Sequence, residues 1–153
     1  MPAIKTQIST YPLVVDYSKR IKTLVGLGKY DRCEGEIISQ KFSTAYKGEV
    51  WLEALLVYFD TAITDEDVVT ELDKIGLRPG ELHELLIFGV QHPEIQCQFP
   101  IIALGTIVEL GNVCGAPCSS GSKNAGRQLG FTYCGGKWGG GHRFLAFRTC
   151  IEL

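Results

Sequence analysis

Hydrophobic and polar positions along the chain set out strands, then helices, then further strands. Residues 7–16 mix β-branched and aromatic types (Ile8, Thr10, Tyr11, Val14, Val15) and predict a first strand. Pro12 directs that strand to a sheet edge, because proline has no amide hydrogen to give a second neighbour. Ser18 is placed to cap a short helix with Ile21, Leu24 and Val25 on one face, and Gly26 and Gly28 stop it. Within residues 30–45 a short strand is expected at 36–39. Residues 49–59 put Trp51, Leu55 and Val57 on one side and Leu52, Leu56 and Tyr58 on the other, which predicts a strand buried on both faces.

The pattern then changes period. Thr64 followed by Asp65, Glu66 and Asp67 is a helix start, a capping hydroxyl with acids at the positive end of the dipole. Val68, Val69, Leu72 and Ile75 follow at helical spacing and Gly76 ends the run. Arg78-Pro79-Gly80-Glu81 opens a second helix with Leu82, Leu85, Leu86 and Phe88 on its apolar face and His83 on its wet face. Beyond Pro100, residues 101–108 form an apolar run expected to be a central strand buried on both sides. Residues 132–134 and 143–150 supply the last strands. With no repeat and no linker, the expectation is one α+β domain over residues 1–153: strands and a short helix to 60, a helix pair over 61–98, and a strand, a glycine- and cysteine-rich loop region and a closing strand over 99–153.

Composition sharpens one part of this picture. Eleven of the eighteen glycines lie between Gly105 and Gly141, a density no helix interior tolerates. Residues 111–142 are therefore expected to be a long irregular excursion, the kind of segment on which binding sites sit. The net charge of −2 argues against a nucleic-acid partner. The charge is uneven: nine acids lie between Asp60 and Glu94, whereas five bases and a single acid follow Leu110. No apolar run reaches the roughly 20 residues of a membrane-spanning helix, and no basic-then-apolar leader opens the chain. A cytoplasmic protein with its six cysteines as thiols is the expectation.

Two segments carry a family resemblance. Gly76-Leu77-Arg78-Pro79-Gly80-Glu81-Leu82-His83-Glu84-Leu85-Leu86 resembles the start of the second helix in C-type-lectin-like domains. The versions it is most similar to are those of the formylglycine-generating-enzyme type and of bacterial variable proteins diversified by retroelements. Arg143-Phe144-Leu145-Ala146-Phe147-Arg148 looks like the closing strand of those domains, with a glycine-rich region and Trp138 between. The second half of the chain also resembles a set of small uncharacterised bacterial proteins. The resemblance implies a C-type-lectin-like fold: two main helices packed on antiparallel strands, with the long loop region as ligand face. The function it implies is recognition of a protein or other macromolecule. The residues that would contact the ligand are Ser119, Ser120, Ser122, Asn124, Tyr133, Lys137, Trp138 and His142, small polar and aromatic types that suit a binding surface. Trp138 can equally be a core anchor. Calcium-dependent sugar binding is disfavoured, since residues 105–150 hold Glu109 as their one carboxylate side chain.

An alternative of another class stays open at this point. Cys114, Cys118, Cys134 and His142 offer three thiolates and an imidazole, a tetrahedral zinc set, or else the makings of a small thiol-dependent enzyme. No cofactor other than such a zinc is suggested. The glycines at 135–141 lack the Gly-Lys-Ser/Thr ending of a phosphate loop.

Overall fold

The computed structural model describes residues 4–35, 37, 44 and 46–149. Its strands are β1 (Thr6–Asp16), β2 (Arg32–Cys33), β3 (Glu49–Phe59), β4 (Ile63–Thr64), β5 (Leu77–Pro79), β6 (Ile101–Ile102), β7 (Val108–Leu110), β8 (Val113–Ser122), β9 (Gly126–Tyr133), β10 (Lys137–Trp138) and β11 (Arg143–Arg148). The helices are α1 (Ile21–Gly28), α2 (Asp65–Lys74) and α3 (Leu82–Gln91), followed by a 3-10 turn at Ile95–Cys97. A nine-stranded mixed sheet runs β1-β3-β11-β6-β8-β9-β2, with β5 added to β11 and β7 to β8. The pairs β11–β6 and β2–β9 are parallel, and the other pairs are antiparallel. The small β10–β4 pair stands apart. The α+β class is as expected.

The sheet divides two cores. Leu13, Val15 and Leu56 of one face pack with Leu24 of α1 and Leu82, Leu85, Leu86 and Phe88 of α3. On the other face Leu55, Val57 and Phe144 pack with Val68 and Leu72 of α2 and with Trp138. The period-2 alternation of β3 supplies both cores from Ala54 to Phe59, as its sequence predicts, whereas Trp51, expected on a buried face, is 78% exposed. The expected pairing of two helices against antiparallel strands is corrected here: α2 and α3 take opposite faces of a mixed sheet.

Local chemistry explains most boundaries. β1 is a sheet edge, and Pro12 lies on it with its carbonyl accepting from the His92 ring at 2.7 Å. The Gln91 amide bonds both the N–H and the carbonyl of Val14 on the same outer edge. α1 begins after Arg20 rather than at a Ser18 cap, and it runs through Gly26 and Gly28 to a left-handed Lys29 at φ 51°. The α2 cap is as expected, with Thr64 accepting from the Asp67 amide at 3.2 Å. Leu77–Pro79 is a strand against β11 rather than the first turn of α3, whose N-cap is Glu81. His83 is buried instead of wet, because α3 is covered on all sides from Leu82 to Gly89. Of the strand expected at 36–39 the structure describes Ile37 alone, which is helical, and Cys150, the end of the strand expected at 143–150, falls outside the described residues.

The 101–108 run is only briefly a strand. It is extended at Ile101–Ile102, turns at 103–106, and re-enters the sheet at Val108. The turn presses Gly105 onto β5's end, where a β-carbon would stand 2.6 Å from the Gly80 carbonyl. The largest departure follows it. Residues 113–131, expected as an irregular loop, join Thr132 and Tyr133, expected as a strand, in an antiparallel hairpin, with Ser122 opposite Gly126 at the tip and Gly115 opposite Tyr133 at the base.

Candidate ligand face on the glycine-rich hairpin

Strand parity sorts the hairpin's side chains. Ser119, Phe131 and Leu129 point to the α1/α3 core, and Ser119 is 1% exposed. Cys118, Ser120, Gln128, Gly130 and Thr132 point to the opposite face and are half-buried. That face carries a concavity of about 670 Å³, walled by Glu34 and Cys33 of the β2 segment. Gly130 lets the Glu34 side chain lie close against the strand, where a β-carbon would come within 2.7 Å of its carboxylate.

Farther along, the same face meets α2. Val69, Leu104, Ile107 and Cys134 line a groove of about 400 Å³ with Asp65 and Glu66 at its side. Val69 and Ile107 are 41% and 50% exposed. On the reverse of the ribbon, Val113 and Tyr133 are 46% and 70% exposed, so this end is apolar on both sides. The loop bordering it is pinned by one carboxylate: Asp65 accepts the Gly135 amide at 2.9 Å and the Trp138 indole N–H.

A buried polar network fixes the other flank. The Arg127 guanidinium lies over the Tyr30 ring at 4.7 Å and donates to the carbonyls of Gly28 and Gly89 and to the Gln96 side-chain oxygen. Gln96 in turn donates to the carbonyls of Ser120 and Gln128, one on each hairpin strand. This network ties the hairpin to α1, α3 and the 3-10 turn, so the face rests on a stiff frame.

The eight residues expected to bind are therefore not one cluster. Ser120 opens onto the polar concavity, and Ser122 and Asn124 are exposed at the tip. Tyr133 lies at the base, seven residues or about 23 Å from the tip at 3.3 Å per strand residue, and Lys137 and Trp138 lie beyond it in the β10–β4 pair, with His142 following. Ser119 faces the core. Trp138 is 6% exposed, the core anchor of the α2 side, with the His142 ring edge-on to it at 5.4 Å.

The four-ligand metal set is not assembled. Cys114 and Cys134 are neighbours across the hairpin base, joined by a backbone bond of 2.9 Å, but Cys118 lies four residues, about 13 Å, along β8. Among the described residues no three His, Cys, Asp or Glu side chains gather as metal ligands. Burial pushes the Cys118 thiol up to about 12 and Cys134 up to about 11, so both stay protonated at neutral pH.

Sequence reasoning passed over Val69, Ile107 and Asp65. Val69 was counted into the helix core by spacing, and Ile107 into a strand that has already turned. Among the described residues no helix is long and apolar enough to cross a membrane. Comparison with protein-family models, curated proteins and solved structures finds no match to this chain in any of the three.

Proposed function

We propose that the protein is a non-catalytic recognition module for a macromolecular ligand, an extended segment of a partner protein lying along the hairpin face. One observation carries this: the hairpin face opens onto a polar concavity at Ser120 and Gln128, and an apolar groove at Val69 and Ile107 lies near its base, beyond the buried Ala116. The ten residues of β8 give it a length of about 33 Å, enough for a strand-like ligand. Polar groups at one end give orientation and apolar ones at the other give affinity. The C-type-lectin-like reading of the sequence agrees in kind, since it too places the ligand on the glycine-rich segment. Here the surface is a paired ribbon on a pinned frame, so little ordering cost falls on binding.

The test uses a photoreactive phenylalanine analogue at position 107 or 120, with position 27 on α1 as control, followed by irradiation in a lysate of the source cells. The same discrete adduct is expected from 107 and 120 and not from 27, and Val69→Lys removes it. An adduct of equal strength at 27, or none at either face position, refutes the reading.

A further inference from the structure

A second recessed site lies away from the hairpin, where the two segments singled out by the sequence meet. β5 and β11 are adjacent, with Phe147 opposite Arg78 and Arg148 opposite Leu77. The Arg78 guanidinium donates to both oxygens of Glu84, at 2.9 and 2.6 Å. Glu84 is fully buried and also accepts the Tyr17 hydroxyl at 2.5 Å and the Glu81 amide at 2.8 Å. The guanidinium plane is held between the Tyr46 ring at 4.4 Å and the Phe147 ring at 4.9 Å. Its side chain nevertheless keeps 17% exposure. The exposed edge opens into a cleft of about 350 Å³ that Tyr17, Tyr46, Lys47 and Arg148 also line.

The chemistry of this cleft has a definite sign and shape. Its described lining contains three cations and no carboxylate. Arg78 is neutralised from behind by Glu84, and Arg148 meets Glu53 at 3.4 Å on the open surface. Lys47 has no ion-pair partner among the described residues, so one positive charge is left over. Val50 and Leu52 give the cleft an apolar floor. The exposed Tyr46 ring gives it an aromatic wall, with the buried Tyr17 ring 5.4 Å from it. Its volume is at the small end of the range of about 300–1,000 Å³ typical of ligand pockets. We infer that this cleft binds a small planar monoanion, an aromatic carboxylate, with its ring on the tyrosine wall and its carboxylate between Lys47 and the Arg78 edge. Charge-assisted bonds at a partly desolvated guanidinium are the strong kind, and the preformed sandwich around Arg78 means that it need not move to make them.

The site is independent of the hairpin face and is tested on the intact chain with benzoate. Titration followed by backbone-amide NMR is expected to give saturable shifts centred on residues 46–52, with a dissociation constant on the order of 1 mM. Benzamidine, of the same shape and opposite charge, and cyclohexanecarboxylate, of the same charge without the flat ring, are each expected to bind about tenfold more weakly or not at all. Lys47→Gln, a change on an exposed residue, is expected to weaken benzoate about tenfold. Val50→Trp is expected to fill the cleft and abolish the shifts while leaving the circular dichroism spectrum unchanged. Should that variant unfold, the lysine variant and the two control ligands decide. The inference is overturned by absent or non-saturable benzoate shifts, by shifts elsewhere, by equal binding of either control, or by indifference to Lys47→Gln.

Discussion

Replacing Glu84 by Gln removes one charge from the centre of the molecule and almost no volume. The carboxylate accepts from Arg78 twice, from Tyr17 and from the Glu81 amide, and it is fully buried. The amide keeps one acceptor oxygen and turns a donor towards a guanidinium that has only donors. Arg78 is then a largely buried cation without its counter-charge. Breaking such a pair from one side costs about 3–5 kcal/mol. The 17% exposure of the Arg78 side chain lets water relieve part of this, which places the expected loss near the lower bound, about 3 kcal/mol. For a chain of 153 residues that corresponds to a fall in melting temperature of about 6–12 °C. Urea unfolding followed by circular dichroism should show a lower midpoint with an unchanged slope. High salt should not restore the wild-type value, because a buried pair is weakly screened. Arg78→Met combined with Glu84→Leu should be more stable than Glu84→Gln alone, since it leaves no charge behind. A loss below about 0.5 kcal/mol for Glu84→Gln, with no coupling to Arg78→Met in a double-mutant cycle, would falsify the account.

Two further outcomes are expected. His83 is buried, which holds its imidazole below the ordinary 6.5 even though the neighbouring Glu84 charge favours the proton. The unfolded chain then binds the extra proton first, so stability is full above about pH 6.5 and falls as pH drops towards the lowered folded value. Urea melts between pH 7.5 and 5 should show a loss that His83→Gln lacks, and parallel curves for the two proteins would contradict it. Asp65→Ala removes both acceptors that pin the 135–138 segment and leaves the Trp138 indole N–H buried and unpaired, at a cost of about 1–3 kcal/mol. Faster hydrogen exchange at Gly135 and altered Trp138 fluorescence are expected, and unchanged exchange there would count against the pinning role.

Elements whose stability is local were legible. The β3 alternation, the Thr64 cap and the apolar face of α3 each follow from residues adjacent in sequence. The β8 strand was not, because Val-Cys-Gly-Ala-Pro-Cys-Ser-Ser-Gly-Ser has little intrinsic preference for extended structure. Its conformation comes from pairing with β6 and β7 on one side and β9 on the other. Composition reports propensity, and here tertiary pairing overrides it. His83 misled for a related reason. Helical periodicity assumes one wet face, and α3 is enclosed between the sheet and α1, so the position that pattern assigns to water is interior. Of the proposed ligand face, Ser120 could be nominated by type, but Tyr133 falls on the reverse of the ribbon and the groove needed the fold to bring Val69 beside Ile107.

The place of β11 in the sheet has a consequence for how the chain acquires its structure. It is the last described strand to leave a ribosome, yet it sits in the middle, hydrogen-bonded to β3 on one side and β6 on the other. Until it is made, the strands on either side have no direct pairing with each other. Each presents an open edge of apolar residues, Leu55, Leu56 and Val57 on β3 and Ile101 and Ile102 on β6. Such edges recruit other chains readily. A nascent chain that stalls before Arg143 is thus an aggregation hazard in two halves, and synthesis of one short segment both closes the sheet and removes the hazard.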